Sequence, residues 1–201
     1  MEIDKRQKVL NVARELFDRY GFKKTTVDEI AADAGISKRT LYEMFDSKET
    51  IMSEIVAAEG DYLRSLLQKE FDKVSDPIAK IQNLTRKAAD HINDNPFLSQ
   101  LLSDTSGLFR PFAENEIIAI EKSIEAFYQN TILEGIHKGV FRKMDEDTAA
   151  NCIFVLFRNF TYGSDPTPIK TWIDFAINAI SDNQSQSDKP AKQNLQLELF
   201  G

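Results

Sequence analysis

Apolar residues recur at three- and four-residue steps along almost the whole chain. Between positions 4 and 20 they are Val9, Leu10, Val12, Ala13, Leu16, Phe17 and Tyr20, a stripe with the 3.6-residue period of an amphipathic helix. Gly21 follows, a residue type that readily takes the left-handed conformation past a helix end. Thr26 and Glu29 have capping-box spacing, which predicts a short helix over 27–34. Gly35 breaks that helix, and Ser37 is a good N-cap for another reaching about Phe45. After Asp46-Ser47, the pattern from Ile51 through Ile55, Leu63 and Leu67 to Phe71 suits a long helix to about Val74, which Ser75-Asp76-Pro77 ends. Further helices are predicted over 78–93, 97–103, 114–138, 146–162 and 167–181, with breaks at Asn95-Pro96, 107–111, Gly139 and 163–168. No segment alternates as a strand does, and no nucleotide-binding glycine motif appears. The fold class expected is all-α.

Composition narrows the function more than the fold. With 201 residues, 42% hydrophobic and 28% charged, the chain can bury a sizeable core. The single cysteine cannot form an intrachain bridge and suits a reducing compartment. No apolar run is long enough to span a bilayer, and residues 1–6 lack the apolar stretch of a signal peptide, so a cytoplasmic chain without membrane contact is expected. The net charge of −7 argues weakly against a nucleic-acid binder. The acid is unevenly placed, however. Residues 1–56 carry 10 Lys and Arg against 11 Asp and Glu, and the remainder carries 15 against 21. Lys23, Lys24, Lys38, Arg39 and Lys48 fall at or near helix ends and turns of the first part, where a local basic face can form.

The segment from Ile30 to Met44 meets the physical requirements of a helix-turn-helix. Ala31 is small enough for the second helix to approach, Gly35 allows a tight turn, and Ile36, Leu41 and Met44 point inward to lock the pair. Lys38, Arg39, Thr40, Tyr42 and Glu43 are then left outside, available to a major groove. The run Thr25-Thr26-Val27-Asp28-Glu29-Ile30-Ala31, followed by Gly35-Ile36-Ser37-Lys38-Arg39-Thr40-Leu41-Tyr42-Glu43-Met44-Phe45-Asp46-Ser47-Lys48-Glu49, resembles the DNA-binding signature of TetR/AcrR-family regulators. The match extends from about Arg6 to Ile55; downstream only helix number and length agree.

The resemblance implies a three-helix DNA-binding head over 1–46, a helical ligand-binding and dimerisation domain over 47–181, and a polar tail over 182–201. It implies phosphate contacts from Thr26, Tyr42 and Lys48, with Ser37, Lys38, Arg39 and Thr40 offered to bases and backbone. The chemistry agrees, since hydroxyls and Lys anchor phosphate oxygens while Arg can bridge guanine O6 and N7. Glu43 departs from the aromatic or basic residue often found there; it either accepts from a cytosine amine or pairs with a neighbouring basic residue. The function implied is a ligand-responsive transcriptional regulator, a repressor that binds a palindromic operator in double-stranded DNA as a homodimer and is released by a small apolar effector.

In the remainder of the chain, nine of the 14 Phe lie between positions 72 and 181. Phe97, Phe109, Phe112, Phe127 and Phe157 are candidates to line an apolar ligand pocket, or else are core. In the last two helices the apolar residues exceed one face, which marks Phe154, Phe157, Phe160, Trp172, Phe175 and Ile177 as candidate dimer-interface residues in a four-helix, two-fold arrangement.

The polar stretch from Asp182 to Asn194 reads as a tether, and it ends in Leu195-Gln196-Leu197-Glu198-Leu199-Phe200-Gly201. Gln196, Leu197, Leu199 and Phe200 resemble the short peptide by which bacterial replication and repair proteins bind the sliding clamp. The alternatives are a tail packed on its own dimer, one that augments a sheet elsewhere, or a chance terminus. A clamp-binding tail would fit a second reading, a DNA-bound adaptor linked to replication or repair. An enzyme is not expected: His91, His137 and Cys152 sit on separate predicted helices without ligand spacing, and no metal or cofactor is assigned.

Overall fold

The computed structural model describes residues 2–103, 110–161 and 168–182. The described residues form nine α-helices and one isolated antiparallel bridge, Phe141 to Ser181. The helices are α1 (Glu2–Tyr20), α2 (Val27–Ala34), α3 (Lys38–Met44), α4 (Lys48–Lys73), α5 (Pro77–Asn93), α6 (Pro96–Leu102), α7 (Arg110–His137), α8 (Glu146–Thr161) and α9 (Ile169–Ile180). The all-α reading holds. Helices α5 and α6 begin one residue before the predicted starts because Pro77 and Pro96 serve as first-turn residues, capped by the Asp76 and Asn95 side chains. In α7 the backbone at Ala113 is non-helical (φ −144°, ψ 25°), so the regular helix begins at Glu114 as the periodicity predicts.

Helices α1 to α3 form a head on the amino-terminal end of α4, and α4 continues into the body, where α7 packs along it with α5 and α8 alongside. Gly60 permits the α4–α7 approach, since a Cβ there would lie 2.8 Å from Ile120 Cγ1. One apolar cluster runs through both regions, from Val9, Ala13 and Phe17 of α1, through Ile51, Met52 and Ile55 of α4, to Phe157 and Trp172. Burying such side chains is the main stabilising term, about 1.5–3 kcal/mol for each large one.

Several polar groups inside the body are paired. Tyr128 Oη and Thr85 Oγ1 lie 2.9 Å apart, both buried, and burial raises the phenol pKa. Buried Lys80 donates to Glu134 at 2.5 Å and lies over the Phe71 ring, tying the end of α4, the start of α5 and the last turns of α7. Lys138 completes this knot by donating to Glu134 and to the Ser75 carbonyl.

Most of the aromatic residues named for the body lie within its own packing. Phe154, Phe157, Trp172 and Ile177 are buried inside the single subunit, because the apolar stripes of α8 and α9 that carry them face α7 and α5. Phe175 is 69% exposed and Phe160 is half-buried, stacked on Trp172 at 6.1 Å. Phe97, Phe127 and Phe157 are likewise packed among core side chains; Phe109 and the Phe112 side chain lie outside the described residues.

Two cavities among the described residues have other linings. One, about 360 Å³, is an apolar groove between α8 and α9 bordered by Met144, Cys152, Leu156, Phe175 and Ala179. The other, about 450 Å³, lies where head meets body, bordered by Arg14, Glu59, Tyr62, His91, Asp94 and Asn95. The tail motif at Gln196, Leu197, Leu199 and Phe200 also lies outside the described residues. Among the described residues no helix is long and apolar enough to cross a membrane, and no group of three His, Cys, Asp or Glu could hold a metal ion.

Candidate nucleic-acid interface

The head orients α3 through local chemistry. At α2 the capping box is complete: the Thr26 hydroxyl accepts from the Glu29 amide at 3.2 Å, and Glu29 Oε2 accepts from the Thr26 amide at 2.7 Å and hydroxyl at 2.8 Å. These bonds hold the Glu29 carboxyl below its ordinary pKa. Gly35 then adopts φ 71°, a left-handed conformation other residues enter only at a cost, and its amide reaches the Ala31 and Ala32 carbonyls. Ser37 caps α3, its Oγ accepting from the Thr40 amide at 3.0 Å and lying 2.9 Å from Thr40 Oγ1. Leu41 is fully buried beneath α3, and Ile36 and Met44 are half-buried against the same cluster.

Two cations that point inward complete the frame. Arg6 donates to the Met44 carbonyl at 2.6 Å, lies over the Phe45 ring at 4.1 Å, and pairs with Glu54. It thereby fixes the end of α3 to α1 and α4. Lys48 Nζ donates to the Phe22 and Thr25 carbonyls at 2.7 and 2.8 Å and lies over the Phe22 ring. Burial holds its ammonium below the ordinary lysine pKa. The resemblance puts Lys48 on phosphate; in the free chain its ammonium clamps the loop that presents Thr26.

The outward face of α3 carries the other expected groups. Lys38, Arg39, Tyr42 and Glu43 are exposed, as are Thr26 and Ser37, and Thr40 is half-buried. Both cations have acidic partners. Lys38 lies 2.7 Å from Asp28 on α2, a bond that raises the lysine pKa, and Arg39 Nε lies 3.1 Å from Glu43 one turn on. Of the two roles open to Glu43, the pairing with a basic residue is the one realised in the free chain.

This geometry, a capped helix with hydroxyls, cations and a phenol on one exposed face beyond a glycine turn, is that of a DNA-reading head. The sequence profile described as "Bacterial regulatory proteins, tetR family" matches residues 9–55. Over these residues the chain carries the DNA-binding domain of a tetR-family regulator. It is 28% identical to the HTH-type transcriptional regulator YxaF of Bacillus subtilis over 136 residues, covering 65% of the chain and 71% of YxaF. To YhgD of the same organism it is 27% identical over 164 residues, 78% of the chain and 82% of YhgD.

Its fold matches two solved structures in particular. They are the TetR-family regulator PfmR of Thermus thermophilus (TM-score 0.64, 24% identity, 85% of this chain and 97% of that one) and the fatty acid degradation regulator FadR of Bacillus halodurans (TM-score 0.69, 17% identity, 87% and 93%). These relatives are regulators of transcription rather than enzymes.

The sequence reading missed two contacts, both long-range. Arg6 on Met44 and Phe45 is one. The other is buried Glu59 on α4, which lies 2.7 Å from Arg14 of α1, accepts from Asn95 Nδ2 at 2.9 Å, and has His91 Nε2 3.7 Å away. A carboxylate on the Ile55–Leu63 stripe is the signal that marks Glu59; nothing local names its partners.

Proposed function

We propose that this protein is a ligand-responsive repressor that acts in the cytoplasm as a homodimer on a palindromic operator. The observation that carries the reading is the exposed face of α3, with Arg39 and Lys38 set for bases and backbone and Tyr42, Thr26 and Ser37 for phosphates. Residues 1–46 serve as the head, 47–181 as the ligand-binding and dimerising body, and 182–201 as the tail. The dimer uses the outer faces of α8 and α9, where Phe175 and half-buried Leu156 border an open apolar groove and Val155 of α8 is exposed. Two heads held so would meet half-sites about one DNA turn apart, ~34 Å or a multiple.

A small apolar effector bound among the body's aromatic side chains is the proposed release signal. Its effect reaches α1 through the Arg14–Glu59–Asn95 contact at the head–body junction, and it favours the released state only by its differential affinity for that state.

Selection of duplexes from a random pool by the full chain tests the reading: an inverted repeat is expected, and enrichment of no sequence would overturn it. Phe175→Glu is expected to yield monomers in sedimentation and to lose the inverted repeat. A variant that remains dimeric would remove this face from the interface.

A further inference from the structure

The two outward cations of α3 are each neutralised by an acid of the same head. Lys38 is bridged from the neighbouring helix by Asp28, and Arg39 is bridged along α3 by Glu43. All four side chains are more than half exposed, so both pairs are solvated and open readily. The inward cations are committed elsewhere, Lys48 to two loop carbonyls and Arg6 to Met44 and Glu54. The hydroxyls of Thr26, Ser37 and Thr40 are engaged in caps. A DNA-facing surface with each of these donors already satisfied is poorly attractive to a duplex as such, since non-specific binding draws almost wholly on unpaired positive charge against phosphate.

We propose that Asp28 and Glu43 act as specificity-determining residues: they screen Lys38 and Arg39 so that a duplex of arbitrary sequence gains little from them. A correct site recovers that loss through base contacts. Arg39 released from Glu43 can bridge a guanine, and the freed Glu43 carboxylate can accept from a cytosine amine while any nearby phosphate repels it. The proposal rests on the DNA-binding reading of α3 and adds to it that the acids of the face lower affinity for wrong sites. Asp28 also lies in the first turn of α2, where an acid stabilises the helix, so its effect on DNA must be separated from its effect on folding.

The test measures binding of the full chain to a random-sequence duplex by fluorescence anisotropy across a salt series, with thermal melting of each variant as the folding control. Asp28→Asn and Glu43→Gln are each expected to bind the random duplex roughly fivefold more tightly near ~0.1 M salt and to steepen the logarithmic salt slope by about 0.9, the signature of one more phosphate contact. Asp33→Asn, an exposed acid of α2 in neither pair, is expected to change neither quantity. Unchanged or weaker binding by Glu43→Gln and Asp28→Asn overturns the proposal, as does an equal gain from Asp33→Asn, which would reduce the effect to net charge. Failure of the DNA-binding reading is distinct: the wild-type chain would then bind no duplex even at low salt.

Discussion

Head and body share an apolar core but differ in what gives each its shape. In the head, side chains satisfy backbone groups at close range: Thr26 and Ser37 cap α2 and α3, Lys48 holds two loop carbonyls, and Arg6 holds the last carbonyl of α3. In the body, shape comes from long apolar faces, with α4 and α7 in contact along Gly60 and Ile120 and aromatic rings filling the space between α7, α8 and α9. The head is therefore a precise presentation of a few atoms. The body is a volume that helices of the right period can fill in many ways.

The contrast predicts different costs. Phe157→Ala removes a fully buried ring that sits beside Tyr128 and Phe154. It is expected to lower the unfolding free energy in urea by about 4 kcal/mol, and a loss under about 1 kcal/mol would place Phe157 outside the core. In the head, Arg6→Ala deletes a hydrogen bond to a carbonyl and a cation–π contact, for a loss of about 2 kcal/mol. Because the contact fixes the end of α3, DNA affinity is expected to fall with it. An affinity equal to wild type under conditions where the variant is fully folded would separate Arg6 from recognition.

Lys48→Met keeps the stem and removes the ammonium, with an expected cost of about 1–2 kcal/mol and an unchanged salt slope for DNA binding. A slope reduced by about one would return Lys48 to the phosphate contacts.

The smallest effect concerns the knot at the far end of the body. Hydrogen bonds from Lys138 and Lys80 hold the Glu134 carboxyl below its ordinary value of 4.5. A group depressed on folding contributes stability above its unfolded pKa and loses it as pH falls through the folded value. Glu134→Gln is therefore expected to be less stable than wild type near neutrality, with the gap closing below about pH 4.5 in urea titrations at stepped pH. A gap that stays constant on acidification would mean the carboxylate charge contributes nothing.

What could be read without the structure follows the same division. Thr26 with Glu29, Gly35, Ser37 and the prolines at 77 and 96 announce local backbone geometry, because each acts on atoms within a turn of itself. The exposed set on α3 was legible for the same reason. Helices α8 and α9 were legible as helices, and their surplus of apolar residues was correct. Which face meets the subunit was not, since two apolar faces on one helix look alike until neighbours are placed: Phe154 and Phe157 turned inward while Val155 stayed outside. A cation at a helix start, such as Lys48, is equally silent on whether it faces a duplex or a loop. Glu59 stood out on an apolar stripe, but its partner Arg14 lies on another helix and is named only by the fold.

The central claim is that α3 enters the major groove of two matched half-sites. Guanine N7 is the major-groove atom that dimethyl sulfate methylates, so protection of guanines on a duplex selected by the full chain tests it directly. The account predicts protected guanines in two clusters about one helical turn apart, or a multiple of it, lost in Arg39→Ala while contacts to backbone phosphates persist. A bound duplex whose guanines all remain reactive would contradict it.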